Sequence, residues 1–319
     1  MRLLAASLTT MASEPTRPDL TTWPHYELYR RVRDALAAVP TQFATEIFIS
    51  GVLATDLHTL NSALGAAIEE QVVATLNAMR ATWDPDDEYA LFSFVRQPQT
   101  FPDVLLRRAA SDTPSPDDIL MGIELKGWYL LAKEEKPTFR FTVTPAACNP
   151  QDLLVVVPWA LAQVISGRPL AFTPYIVEAR YAAEWRNHHW TNVRDARGDR
   201  TISSPTVTAP YQSKRDATND VAKDDRGNNF GRFARTGLMD VYLDGVKERL
   251  LCGIRVRHWL AFFKSFQETQ DDGRIHDALT KLTTEIADEV HSGNTTASTV
   301  DTILDGLRRL VFPDGEPIE

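Results

Sequence analysis

Three residues in the stretch FPDVLLRRAASDTPSPDDILMGIELKGW (101–128) have the types and spacing to do chemistry together: Asp103, Glu124 and Lys126. Two apolar runs, VLL and ILMGI, flank a polar turn rich in Pro, Ser and Asp, which suits a loop between two strands. If 103–108 and 119–127 pair as antiparallel strands with Arg108 opposite Ile119, the same register sets Asp103 opposite Glu124. Their Cβ atoms then lie about 4.5–5.5 Å apart. Strand alternation sends Ile119, Met121, Ile123 and Leu125 to one face, and Leu120, Gly122, Glu124 and Lys126 to the other. Two carboxylates at about 4 Å repel by roughly 1–4 kcal/mol, a conflict that a shared proton or a divalent cation relieves. Hard oxygen donors with few protein contacts suit Mg²⁺. Such an ion polarises a phosphate and acidifies a water, while Lys126 holds or deprotonates that water. The competing reading is the solvated face of a surface hairpin.

The elements that would position this trio are legible as hydrophobic periodicity. YELYRRVRDALAAV (26–39) reads as a helix through Leu28, Val32, Leu36 and Val39. The clearest helix is 62–83, where Leu64, Ile68, Val72, Leu76 and Met79 fall on one face. YALFSFV (89–95) reads as a strand before the hairpin, and TFRFTVT (138–144) alternates like another. DLLVVVPWAL (152–161) is a continuous apolar run, as expected of a strand buried on both faces. PYIVEARYAAEWRNHHW (174–190) starts extended and turns helical. Apolar pattern returns over 249–266, followed by helices near 275–291 and 297–311. The spacing predicts an α/β chain with a mixed sheet flanked by helices and C-terminal helical additions. It forms one domain over 25–319, preceded by a flexible arm, 1–24. The domain comprises a core of about 60–190, a polar segment of about 191–236 and the remainder, 237–319.

Pro102-Asp103, with Glu124-Leu125-Lys126 on the next strand, resembles the PD-(D/E)XK nuclease signature found in most type II restriction endonucleases. The resemblance covers about 60–160 and implies an αβββαβ core, with VVVPW in its last strand. It implies that Asp103, Glu124 and the Leu125 carbonyl hold Mg²⁺, and that Lys126 is the water-orienting base. A helix before the hairpin often adds an acid in this superfamily. Glu69 is the match, because Glu70 points away from the apolar stripe. Asp117 or Asp118 is the alternative first acid. Pro-Asp occurs five times in the chain, and Glu134-Glu135-Lys136 is a second E-x-K, in a polar loop. The motif therefore draws its weight from its strand context. The implied activity is Mg²⁺-dependent hydrolysis of DNA to 5′-phosphate ends by a site-specific, homodimeric enzyme, with a methyltransferase acting separately. A structure-specific repair or recombination nuclease, or a non-catalytic DNA- or protein-binding module, is the alternative.

The polar segment contributes the candidate DNA contacts. YQSKRDATNDVAKDDRGNNFGRFAR (211–235) carries six Lys or Arg against four Asp, with Phe230 and Phe233 interleaved. Cations meet phosphates, Arg and Lys read guanine, and Asn and Gln read adenine. Gln212, Lys214, Arg215, Asn219, Lys223, Arg226, Asn228, Asn229, Arg232 and Arg235 are therefore expected at double-stranded DNA, with Gly227 and Gly231 allowing close backbone approach. An ordinary surface loop is the alternative. Net charge is −9, so bulk attraction to nucleic acid is excluded and a local basic surface is required. Trp185 and Trp190 read as core anchors, and His188 and His189 lack partners at zinc spacing. LAFFKSF reads as a packing or dimerising helix. The two cysteines, Cys148 and Cys252, exclude a disulfide framework and fit the cytoplasm. The first residues hold too short an apolar stretch for a signal peptide, and no run approaches the roughly 20 residues of a membrane span. Walker, G-x-S-x-G and G-x-G-x-x-G motifs are missing from the sequence.

Overall fold

The computed structural model describes residues 13–50, 60–97, 100–109, 118–132, 134–194, 197–206, 209–211, 217–265, 277 and 280–284. The apolar stripes named above become helices α1 (Tyr26–Gln42) and α2 (Leu60–Ala78), with the short α3 (Arg80–Trp83) following a break at Met79. The single helix expected over 62–83 is thus two, and Trp83, turned inward by the break, donates its indole N–H to the Leu76 carbonyl at 2.9 Å. Next come β1 (Phe92–Arg96), β2 (Val104–Arg108) and β3 (Ile119–Tyr129). They are followed by β4 (Leu153–Leu161), β5 (Pro169–Ala171), β6 (Tyr175–Glu178) and α4 (Ala179–His188). Short elements complete the described chain: β7 (Ile202–Ser203), β8 (Val221–Ala222), α5 (Asp240–Lys247), β9 (Leu250–Leu251), β10 (Ile254–Arg255) and α6 (Val256–Ser265).

Six strands form one mixed sheet, ordered β1-β2-β3-β4-β5 with β6 also on β4. β1, β2 and β3 are antiparallel neighbours, β3 and β4 run parallel, and β5 and β6 return antiparallel. Every residue of β4 is buried, as its apolar run predicts. Pro158 is tolerated in this central strand because it sits where β6 has ended, at Val156, and β5 begins, at Trp159. Its missing N–H falls at that gap, and its carbonyl accepts from the Phe172 N–H at 2.8 Å.

Two apolar clusters cover the two faces. Leu28, Val32 and Leu36 of α1, with Val72 and Leu76 of α2, pack on Met121, Ile123, Leu125 and Val155. Each fully buried side chain of this kind is worth about 1.5–3 kcal/mol. On the opposite face Ala179, Ala182 and Ala183 of α4 pack with Trp128, Leu154, Val156 and Trp259. Leu60 and Ile68, from the first half of α2, join this second cluster.

Two sequence expectations need correction. TFRFTVT is not a sheet strand: it runs across the α4 face, held by isolated bridges from Arg140 to Arg232 and from Val143 to Asn219. Phe141 and Val143 are buried there, so the alternation recorded one-sided burial rather than strand pairing. An αβββαβ order also calls for a helix between β3 and β4. Among the described residues that connection carries one 3₁₀ turn, Pro145–Ala147, and α4 packs on the face that a crossover helix would cover. Of the C-terminal helices expected over 275–291 and 297–311, residues 277 and 280–284 alone are described, helical, with Leu282 in the core. Among the described residues no helix is long and apolar enough to cross a membrane.

Candidate active site

β2 is five residues long and β3 eleven. Pairing ends at Val104 opposite Ile123, so among the described residues no strand lies beside the second half of β3 on that edge. Carboxylates take the place of the missing strand. The Leu125 N–H donates to Asp103 Oδ2 at 3.0 Å, and the Gly127 N–H donates to Glu69, delivered by α2. The Lys126 Nζ lies 3.0 Å from Asp103 Oδ2 and 2.7 Å from Glu124 Oε1. The Asp103 N–H donates to Glu124 Oε2 at 3.3 Å. The four side chains named from the sequence therefore meet at one open edge. Glu70 instead pairs with Arg96 at 3.6 Å.

The expected register holds where it matters and fails at the loop. Val104, Leu105 and Leu106 face Ile123, Gly122 and Met121, the register that brings Asp103 to Glu124. Ile119 pairs with Arg107 rather than Arg108, because the ladder shifts between Leu106 and Arg107. Asp118 lies at the far end of β3, 3.6 Å from Arg108 Nε. Asp117 lies outside the described residues.

Gly122 sets the approach of Pro102-Asp103. A Cβ on Gly122 would stand 2.3 Å from Pro102 Cγ and 3.1 Å from Asp152 Oδ1, so only glycine lets the Pro102 ring lie against β3. On its other side the Gly122 N–H donates to the buried Asp152 Oδ1 at 2.7 Å, and the Tyr211 hydroxyl donates to that same oxygen at 2.7 Å. The second Asp152 oxygen accepts from the Asn149 N–H at 2.7 Å. Burial still pushes the Asp152 carboxyl up to about 6 against these hydrogen bonds.

Burial and mutual charge set the protonation of the site. Burial raises the Glu124 carboxyl, Asp103 raises it further, and Lys126 holds it back. Burial works against the Lys126 charge, but Glu124 and Asp103 together outweigh it and hold the ammonium above the ordinary lysine range. Glu69 is raised by burial and by Asp103, and is pulled back by Lys126 and the Gly127 N–H. Without a metal, then, Lys126 keeps its proton and acts as a donor.

The donor set suits a hard divalent cation in kind but not as a closed cage. Among the described residues no three His, Cys, Asp or Glu side chains converge tightly enough to hold a metal alone. Asp103 and Glu124 supply carboxylate oxygens. In an extended strand a residue's N–H and C=O leave by the same edge, so the Leu125 carbonyl faces the side where its N–H meets Asp103. Two carboxylates and a carbonyl leave half of an octahedron to water and phosphate, the manner in which Mg²⁺ is commonly held.

The candidate DNA-contacting residues divide. Gln212, Lys214 and Arg215 lie outside the described residues. Asn219 accepts from Thr142 Oγ1 at 3.1 Å, and Lys223 pairs with Asp199 at 2.8 Å. Asn228 accepts from Arg140 at 2.9 Å. Arg226, Asn229, Arg232 and Arg235 line one cleft. Phe230 and Phe233 are core residues, not interleaved contacts: both are buried. Gly231 makes its close approach within the chain, since a Cβ there would meet Thr142 Cγ2 at 2.6 Å. Trp190 is buried, as expected of an anchor, and Trp185 is partly buried. Sequence reading missed Asp152, Tyr211 and Arg186. The closely spaced arginines of VRDARGDR (193–200) were the available signal for Arg194 and Arg197. No family model matches the chain, and neither a curated protein nor a solved structure matches it.

Proposed function

We propose that the chain is a Mg²⁺-dependent DNA endonuclease whose β1–β4 sheet and acidic edge are restriction-endonuclease-like, with a 3₁₀ turn where the αβββαβ order has its second helix. In this reading it is a type II, site-specific hydrolase that acts as a cytoplasmic homodimer on double-stranded DNA, leaves 5′-phosphate ends and is accompanied by a separate methyltransferase. The observation that carries the reading is the meeting of Asp103, Glu124, Lys126 and Glu69 where β3 runs on past β2. Asp103, Glu124 and the Leu125 carbonyl would hold the cation. When bound, it neutralises charge on the scissile phosphate and makes a water more acidic. Asp103 is oriented for this task by the Leu125 N–H. Lys126, held as an ammonium, donates to the attacking water and positions it in line with the phosphate. Glu69, held at the same edge by Gly127, extends the acidic surface on which waters are ordered.

One observation favours a second reading. The Lys126 Nζ already satisfies both acids, at 3.0 and 2.7 Å, as a purely structural ion-pair cluster would. Digestion of a long unmethylated DNA with Mg²⁺, and with Ca²⁺ in its place, separates the two. Discrete fragments with Mg²⁺, lost in Asp103→Ala, Glu124→Ala and Lys126→Ala, support the nuclease. Wild-type cutting by all three variants removes the proposed site, and a smear or a preference for branched DNA shifts the reading to repair.

A further inference from the structure

A second concentration of charge stands apart from the carboxylates. A cleft of about 300 Å³ lies between the end of α4 and the 226–236 turn, and none of Asp103, Glu124, Lys126 or Glu69 lines it. Six arginines do: Arg186, Arg194, Arg197, Arg226, Arg232 and Arg235. No acid is among the lining residues described. Like charges gathered along one cleft repel one another, and the acids paired with three of them stand outside its lining. Arg232 and Arg235 share the single carboxylate of Glu134, at 3.1 and 3.4 Å, and Arg226 reaches Asp224 at 3.6 Å. Arg186 is the floor of the cleft rather than a reader. Its guanidinium is committed to the Phe141 and Val143 carbonyls at 2.8 and 2.9 Å and to Asp220 at 2.5 Å. Trp190 adds a second observation: it lines the cleft, is 4% exposed, and its buried indole N–H has no acceptor among the described residues. A buried donor left in this way calls for an acceptor oxygen. The Arg194 guanidinium carbon lies over the same indole, 3.7 Å from the ring centroid.

We infer that this cleft binds a phosphate group. Planar guanidinium forks match phosphate oxygens two at a time, and the volume is at the small end of ligand sites, suited to a nucleotide-sized ligand. The phosphate has two possible sources, a free nucleotide or the DNA backbone. The backbone source rests on the nuclease reading, whereas the phosphate chemistry itself does not.

The test uses the full chain in EDTA, so that no cleavage intervenes. Calorimetric titration with inorganic phosphate and with ADP is run beside fluorescence titration of a short duplex. Arg226→Ala/Arg235→Ala should weaken phosphate binding by about tenfold or more, while Arg30→Ala, on the exposed side of α1, should leave it unchanged. Glu134→Gln removes the acid that two of the arginines share and should tighten binding severalfold, a gain that no misfolded variant can imitate. ADP affected and duplex unaffected identifies a mobile nucleotide. Duplex affected, with a shallower salt dependence, identifies the backbone. Failure of all three ligands to bind saturably overturns the inference, as does wild-type affinity in both the double-arginine and Glu134 variants. Because metal and scission are absent, these outcomes are independent of whether Asp103→Ala abolishes cutting.

Discussion

Asp103 and Leu125 are joined beyond the end of the β2–β3 ladder, with the Leu125 N–H donating to Asp103 Oδ2 at 3.0 Å. The sheet thus uses a side chain where its ladder stops, and orientation of the first acid is tied to the backbone of the strand that carries the second.

Asp103→Asn separates these two duties. The amide keeps an acceptor for the Leu125 N–H but loses the charge. Mg²⁺-dependent cleavage should fall by at least about a hundredfold. The thermal midpoint should move little, because the lost ion pair is partly exposed and worth about 1 kcal/mol or less. Quantified plasmid digestion beside a melting curve tests both halves, and retained cutting would count against Asp103 as a metal ligand.

Gly122→Ala and Gly127→Ala, five positions apart on β3, should behave oppositely. The first puts a methyl into the Pro102 ring, and overpacking of that kind costs about 1–3 kcal/mol while displacing Asp103. The second meets Gly65 Cα at 3.6 Å, an ordinary contact, and should be tolerated. Urea denaturation of the pair checks the contrast, and equal stability of the two variants would refute it.

Lys126→Met leaves two acids facing each other without their shared cation. Since Lys126 holds Glu124 down, the Glu124 carboxyl should titrate higher still in the variant. A carboxyl raised in the folded state stabilises the fold when protonated, and that contribution is lost as pH rises through the folded value. The variant should therefore lose more stability relative to wild type at pH 8 than at pH 5. Denaturant melts at both values would reveal it, and identical losses would argue that the three charges are not coupled.

Asp152→Asn isolates a raised carboxyl outside the acidic edge. The Asp152 pKa is pushed up to about 6 by burial, against an ordinary Asp value of 3.8, so the native state holds a proton that the unfolded chain releases. Between about pH 4 and 6 wild-type stability should decline relative to the variant, and the difference should be constant above that window. Parallel curves from pH 4 to 8 would show that Asp152 titrates normally.

Asp220→Ala tests the floor of the arginine cleft. It leaves Arg186 charged and buried without its carboxylate, a loss of about 3–5 kcal/mol. A shift below 1 kcal/mol in equilibrium unfolding would mean that the pair is dispensable.

Local pattern predicted the elements that build the site, and long-range chemistry escaped it. The stripe in α2, the strands β1 to β4 and the Asp103–Glu124 register were readable because alternation and periodicity are properties of neighbouring residues. The shift between Leu106 and Arg107 was not, because an extra residue in a ladder leaves the composition of each strand unchanged. Nor was the fate of TFRFTVT, where burial on one side has the same period as a strand. Glu69 was separable from Glu70 by its angle on the helix, whereas Asp152 and Arg186 look like ordinary surface residues until the partners 30 and 34 positions away arrive. Composition alone does not separate DNA contacts from an ordinary surface loop over 211–235. Folding sorts that segment into buried phenylalanines, locally paired charges and arginines facing a cleft.

Asp152 Oδ1 is a shared hinge pin. One oxygen grips Gly122, which seats the Pro102-Asp103 corner, and also grips Tyr211, within the long polar segment. Any rearrangement that drags Tyr211 away alters the grip on the strand bearing Glu124. In a DNA-cutting enzyme that linkage would let engagement of the target be felt mechanically at the scissile phosphate, with a single carboxyl as the transmission.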